Sequence, residues 1–227
     1  MNATDDKTIV KEYFNSTGFD RWRRIYGDGE VNKVQLDIRT GHQQTVDTVL
    51  NWLKTDSLPQ LSICDAGCGV GSLSIPLAQA GAEVYSSDIS EKMVQEAKER
   101  AEAELGNTNK LKFAVQDLET LSGNYHTVIC LDVLIHYPQN EADRMISHLA
   151  SMAQSRIILS FAPKTFALSL LKKIGGFFPG ASKATRAYLH READVIKILA
   201  SNGFTVQRQA MTRTQFYFSR ILEATRN

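Results

Sequence analysis

The sequence predicts an α/β fold built on a mostly parallel sheet, and three observations carry that prediction. From about residue 60 onward, short apolar runs of β type alternate with stretches of helical periodicity. A glycine-rich turn joins the first such run to a helix. The last quarter of the chain breaks the alternation with two β-type segments in succession. Strands buried on both faces and joined by helices imply right-handed parallel crossovers, and two strands joined by a short link imply an antiparallel hairpin.

The strand-like runs fall at residues 61–64, 83–87, 111–115, 127–131 and 156–161. Met93, Ala97, Ala101 and Leu105 repeat every four residues behind Ser90, a good N-cap. Residues 142–152 and 191–201 are patterned similarly, the latter closed by Asn202-Gly203. Residues 204–210 and 215–224 complete a predicted sheet of seven strands, the hairpin adding its antiparallel strand at the end. Before residue 60 the pattern is helical, with a long run over 31–53 preceded by an irregular aromatic segment at 18–27. Residues 163–191 form an insert that a simple crossover does not require. It carries Lys164, Lys172, Lys173, Lys183, Arg186 and Arg191 with no acid, among Phe166, Phe177, Phe178 and several leucines.

Length and composition fit one domain. The 227 residues are 43% hydrophobic and 22% charged, which argues against disorder and repeat architectures. They divide into a helical lid or arm (1–58), a ligand-binding core (59–162), the insert (163–191) and a terminal helix with hairpin (192–227). A net charge of +1 argues against a nucleic-acid binder. No run of 18 apolar residues is available to span a membrane, and the polar first eight residues predict no leader. Cys64, Cys68 and Cys130 sit in or beside apolar runs, as thiols of a reducing compartment do. Their spacing is not a metal-ligand pattern, so no protein-bound metal is expected. His126, His148 and His190 read as surface or structural.

The chemistry lies in Asp65-Ala66-Gly67-Cys68-Gly69-Val70-Gly71. Glycines at this spacing let the backbone turn and approach a ligand closely. A carboxylate beside that turn would repel a pyrophosphate but suits an ammonium group. Asp88 closes the second strand, where a carboxylate can accept from a ribose diol. Asp117 closes the third, where an adenine amino group can be bound. Glycines that merely close a tight turn would leave the three acids unexplained.

This combination resembles the Rossmann-like class I methyltransferases that use S-adenosyl-L-methionine, whose first motif is D-x-G-x-G-x-G. A narrower resemblance runs through Tyr13-Phe14-Asn15, Gly18-Phe19-Asp20-Arg21-Trp22-Arg23-Arg24-Ile25-Tyr26-Gly27, Cys130-Leu131-Asp132-Val133-Leu134-Ile135-His136-Tyr137-Pro138 and Leu159-Ser160-Phe161-Ala162-Pro163-Lys164. With the cofactor motifs, these cover nearly the whole chain and are similar to the magnesium-protoporphyrin IX methyltransferases of chlorophyll and bacteriochlorophyll biosynthesis. The resemblance implies methyl transfer from S-adenosylmethionine to one propionate carboxylate of Mg-protoporphyrin IX, the magnesium belonging to the substrate. It also implies a partner, the large subunit of magnesium chelatase. The expected location is the cytoplasmic or stromal side of photosynthetic membranes.

Cofactor contacts are expected from Asp65, Gly67, Gly69, Gly71, Asp88, Ile89, Met93, Asp117, Leu118 and Leu131. Arg39 and His42, three apart on one helix face, are expected to meet the methionine carboxylate. His136 and Tyr26 are the candidates for holding the acceptor carboxylate. Phe19, Trp22 and Tyr26 with Arg21, Arg23 and Arg24, together with the insert, offer the apolar and cationic groups a flat dianionic porphyrin needs. The insert's composition equally suits a packed amphipathic pair or peripheral contact with an anionic membrane. The principal alternative is an O- or N-methyltransferase for a smaller acceptor.

Overall fold

The computed structural model describes residues 3–54, 56–164 and 188–227. Most of the predicted insert, residues 165–187, therefore lies outside the described residues. The described chain begins with helices α1 (Ala3–Asn15), α2 (Thr17–Ile25) and α3 (Lys33–Leu53). The alternating part follows: β1 (Ser62–Ala66), α4 (Ser74–Gln79), β2 (Glu83–Asp88), α5 (Glu91–Leu105), β3 (Leu111–Val115), β4 (Tyr125–Cys130), α6 (Gln139–Met152) and β5 (Ala153–Phe161). Then come α7 (Glu192–Ser201), β6 (Phe204–Arg213) and β7 (Phe218–Arg226).

The seven strands form one sheet in the order β3-β2-β1-β4-β5-β7-β6. The pairs from β3 through β5 are parallel, and β7 runs antiparallel to both of its neighbours. This is the Rossmann-like, mostly parallel sheet with a terminal antiparallel hairpin that the sequence predicts. The order reverses beside β1, so the carboxyl ends of β1, β2 and β4 open onto a shared crevice.

Helices cover both faces. Met145, Ile146 and Leu149 of α6 and Val195 and Leu199 of α7 pack with Val128, Ile157 and Leu222 on one face. Val46, Val49 and Leu53 of α3, with Ile75, Leu77 and Ala101, pack with Ile63, Ile129 and Ile221 on the other. The hairpin supplies the antiparallel strands expected of it, with the final strand β7 inserted between β5 and β6. Ile221, Leu222 and Ala224 of β7 are fully buried, whereas β6 exposes Gln207, Arg208 and Gln209. The apolar strand takes the doubly paired position and the polar one blunts the edge.

The segment expected to be irregular around residues 18–27 is mostly the helix α2. Arg39 of α3 closes its carboxyl end. Its Nε donates to the Ile25 carbonyl at 2.9 Å, and Nη2 donates to the carbonyls of Arg24 (2.7 Å) and Gly29 (2.8 Å). A guanidinium thus satisfies acceptors that the helix end leaves open, with favourable dipole interaction. α1 is fastened to the core at both ends. Lys7 Nζ bridges Asp117 and Glu119, and Ser90 Oγ lies 3.1 Å from the Phe14 carbonyl and 2.9 Å from Asn15 Oδ1.

Candidate active site

A cavity of about 310 Å³ opens at the carboxyl ends of β1, β2 and β4, beneath α1 and α2. One end is made by the glycine turn. The Gly67 and Cys68 N–H groups donate to the Ser87 carbonyl at 2.8 and 2.9 Å, which folds the turn back across β2. Gly67 has φ +88°, and a Cβ there would stand 2.2 Å from Val133 Cγ2. Gly69 has φ +54° and lines the cavity with no atom within 4 Å of where its Cβ would be. A positive φ at both, a tight approach at one and open space at the other explain why neither carries a side chain. Gly71 is different: its Cβ would meet Ile75 and Ala97, so it lets α4 and α5 close up and does not line the cavity.

Asp88 sits at the rim of this turn. Its Oδ2 accepts from Gly69 N–H at 3.0 Å and its Oδ1 from Ser90 N–H at 2.9 Å. Burial raises its pKa, while those backbone donors and that of Ile89 oppose the rise. Ile89, Met93, Leu118 and Leu131 line the same end as apolar wall. A carboxylate with capacity to accept from a diol, apolar walls for a flat base and a turn without side chains suit S-adenosylmethionine in donor type and shape.

Besides Gly71, three expected cofactor residues do not line the cavity. Asp65 is buried behind the turn, where Ser74 Oγ donates to its Oδ2 at 2.5 Å, and it does not line the cavity. Burial raises its pKa to about 6, helped by the charge of Asp88 and opposed by Ser74 and His42. Asp117 turns outward to Lys7 at 2.8 Å and accepts from Glu119 N–H at 3.0 Å, so it lines a separate pocket with Lys7 and Lys11. Arg39 is committed to the end of α2, as described above, and is absent from the cavity wall. Spacing on a helix face set Arg39 beside His42, but the carbonyls of α2 claim its guanidinium.

The other end of the cavity is aromatic. Tyr26, at the close of α2, packs on Trp22 at 5.4 Å and on the His42 ring at 4.4 Å. Burial, with the charges of Asp132 and Asp88, holds the Tyr26 phenol well above its usual pKa. His136, after β4, meets the edge of Phe14 at 5.3 Å. Burial pushes its imidazole down to about 4 against the opposing charge of Asp132, so His136 is neutral near pH 7. Phe216 and Tyr217 of the link between β6 and β7, with Phe218 at the start of β7, join the same wall.

Tyr26 and His136 are thus brought together on one wall, His42, expected at the methionine carboxylate, stands against Tyr26, and Trp22 and Arg21 join them. Phe19 does not; it packs with Lys92 and Arg23 outside. Sequence reasoning missed Phe14, Asp132 and Tyr217. Tyr217 fell inside a segment read as regular strand, and Asp132 lay in a motif without a spacing rule to single it out. His190 is structural as expected, fully buried with Nε2 2.9 Å from the Leu134 carbonyl. Among the described residues, no three His, Cys, Asp or Glu side chains cluster as a metal site.

Comparison with known proteins agrees with this geometry. A family model for the magnesium-protoporphyrin IX methyltransferase C-terminus matches residues 130–226, and a methyltransferase-domain model matches residues 63–155. The chain is 69% identical over 226 residues to magnesium-protoporphyrin O-methyltransferase of Synechocystis sp., covering 99% of this chain and 98% of that protein. It is 61% identical over 221 residues to the chloroplastic magnesium protoporphyrin IX methyltransferase of Arabidopsis thaliana, covering 96% of this chain and 71% of that protein. A crystal structure of the Synechocystis magnesium protoporphyrin IX methyltransferase with bound S-adenosylhomocysteine superimposes with a TM-score of 0.91 at 68% identity, covering 97% of this chain and all of that one. With likeness of this extent across the turn, the N-terminal helices and the hairpin alike, the chain belongs to the magnesium-protoporphyrin IX methyltransferase family.

Proposed function

We infer that this chain transfers the methyl group of S-adenosyl-L-methionine to a propionate carboxylate of Mg-protoporphyrin IX, yielding the monomethyl ester and S-adenosyl-L-homocysteine. The observation that carries this reading is the continuity of one cavity, from the Asp88 rim to the aromatic end at Tyr26 and His136. Bound S-adenosylmethionine supplies a methyl group on a sulfonium, open to in-line displacement by a carboxylate oxygen. A propionate is ionised near neutral pH, so the site needs no strong base. Its work is to orient the carboxylate and exclude water, and alignment alone supplies about 7–11 kcal/mol in favourable intramolecular models.

Tyr26 keeps its phenolic proton throughout the working pH range and is an O–H donor. His136, neutral, offers one N–H and one acceptor nitrogen, and its contribution is a hydrogen bond in place of a cationic contact. Phe14, Trp22 and Phe216 surround them with apolar surface that keeps water away. Two finer readings belong to this proposal: delivery of the porphyrin by the large subunit of magnesium chelatase, and peripheral contact with the cytoplasmic or stromal face of a photosynthetic membrane. The basic and aromatic composition of residues 163–191 supports both. No helix among the described residues is long and apolar enough to cross a membrane.

Labelled S-adenosylmethionine and a panel of porphyrins, with and without magnesium, test the substrate. Ester should form on Mg-protoporphyrin IX and survive EDTA; label appearing only on a smaller acceptor such as a quinone precursor would favour the alternative. For the site, His136→Ala and Tyr26→Phe should each lower kcat about 10- to 1000-fold (about 1.4–4 kcal/mol) with little change in S-adenosylhomocysteine affinity. An alignment role predicts no recovery between about pH 6 and 9, because the acceptor is ionised throughout that range. Recovery of His136→Ala at high pH would instead make His136 a general base.

A further inference from the structure

Asp132 is the one non-glycine residue with positive φ among the described residues, at +58°. It stands immediately beyond β4, on the cavity wall. Left-handed backbone at a residue with a side chain persists where its surroundings hold it, and such positions cluster at functional sites. Here the hold is visible. Asp132 N–H donates to Ser160 Oγ at 2.8 Å, and the Ser160 hydroxyl lies 3.0 Å from Asp132 Oδ1. Tyr217 O–H reaches the same carboxylate at 2.9 and 2.7 Å. His42 Nδ1 lies 2.9 Å from Oδ2, and the His42 ring packs on Tyr26 at 4.4 Å.

We propose that Asp132 is a positioning residue for methyl transfer: its carboxylate fixes the His42 ring through Nδ1, and that ring in turn seats Tyr26 over the cavity. The proposal rests on the assignment of Tyr26 to the acceptor end. It explains why a carboxylate is kept beside a site that must admit another carboxylate. The Asp132 carboxylate accepts from each of its partners, so its charge is absorbed by His42, Tyr217, Ser160 and Ser219 and its acceptor capacity is turned away from substrate. Burial alone would raise its pKa, but hydrogen bonds from His42, Tyr217 and Ser160 and the charge interaction with His42 outweigh burial and hold it below the usual carboxylate value. Asp132 is therefore an ionised, fully engaged acceptor. The hydrogen bond also sets the imidazole: with Nδ1 carrying the proton toward Asp132, ring rotation about the stem is arrested and Tyr26 has a fixed face to lie on.

The test uses two variants. Asp132→Asn suits the left-handed backbone but turns one acceptor oxygen into a donor group, so His42 or Tyr217 loses its partner. We expect kcat on Mg-protoporphyrin IX to fall about 10- to 100-fold, with S-adenosylhomocysteine Kd within about threefold of wild type. In a His42→Ala background the same substitution should cost less than about threefold, since the relay is already cut. His42→Asn retains an N–H for Asp132 but has no ring for Tyr26, and should be as slow as Asp132→Asn. Wild-type kcat in either Asp132→Asn or His42→Asn would overturn the proposal, as would a full Asp132→Asn loss in the His42→Ala background. Should Asp132→Asn not fold, His42→Asn alone decides. Failure of wild-type protein to esterify Mg-protoporphyrin IX would instead overturn the substrate reading.

Discussion

The cofactor end of the cavity is largely built from residues 67–93, close together in sequence, while the acceptor end draws on α1, α2, α3, the turn after β4 and the β6–β7 link. The first is a backbone structure. Its parts are a positive φ at Gly67 and Gly69, two N–H groups folded onto Ser87 and a carboxylate held by main-chain donors. The second is an assembly of side chains, with rings packed on rings and one carboxylate tying several elements together. Backbone requirements constrain residue type tightly at each position. Side-chain assemblies constrain only what meets in space, and many sequences can supply the same meeting.

The sharpest way to break this comparison is at the glycine turn. Gly67→Ala adds left-handed strain of about 1–2 kcal/mol and a Cβ 2.2 Å from Val133 Cγ2. Overpacking of that kind adds about 1–3 kcal/mol. The variant should lose thermal stability and measurable S-adenosylhomocysteine binding together. Gly69→Ala meets no atom within 4 Å, so it should carry the left-handed strain of about 1–2 kcal/mol without the overpacking, and its methyl stands in the cavity and weakens binding at least about tenfold. Thermal melts with calorimetry check both. Wild-type affinity in Gly69→Ala would move the cofactor away from this turn.

That contrast also explains what could be read from the sequence. The five parallel strands, the hairpin and the Asp65–Gly71 turn were legible because short β-type apolar runs between helical stretches and glycine spacing report backbone geometry directly. The helical nature of α2 was not, because its apolar and basic residues suit a helix only once Arg39 caps it from another element. Tyr26 and His136 were singled out by their places in the chain, and His42 by its spacing from Arg39 on one helix face. Asp132 and Tyr217 were not, since their roles come from a meeting of β4 with a link more than 80 residues later. Asp117 is the converse case. A strand-end acid fits a rule for adenine, but a lysine on α1 reaches it.

Asp117 also supplies the next test. Asp88→Ala removes a rim carboxylate held by two backbone donors, and two charge-assisted hydrogen bonds to a ribose are at stake. We expect S-adenosylhomocysteine binding to weaken by about 2–4 kcal/mol. Asp117→Asn should leave that affinity within about threefold and slightly loosen α1, because a partly exposed pair with Lys7 contributes about 0–1 kcal/mol. Calorimetry on the two variants decides. An Asp117→Asn loss as large as that of Asp88→Ala would return Asp117 to the cofactor site.

The mildest test concerns the acid behind the turn. Asp65 has a folded-state pKa raised to about 6 from the ordinary 3.8, chiefly by burial. Between those values the folded protein keeps a proton that the unfolded chain has released. Stability therefore falls as pH rises through about 4 to 6, and above pH 7 the ionised carboxylate costs up to about 3 kcal/mol. Asp65→Asn abolishes that titration and still offers Ser74 an acceptor oxygen. It should melt at a higher temperature than wild type at pH 8, with the difference shrinking below pH 6 and nearly gone at pH 4. A buried charge maintained against its own stability calls for a ligand that uses it, and an ammonium group near the turn would do so. Wild-type affinity for S-adenosylhomocysteine should then rise as pH passes through about 6, while Asp65→Asn binds more weakly and loses that rise. Equal binding by the two proteins from pH 5 to 8 would leave Asp65 as a structural partner of Ser74, and would show that the contiguous end of the cavity, too, contains a residue whose place in the motif overstates its chemistry.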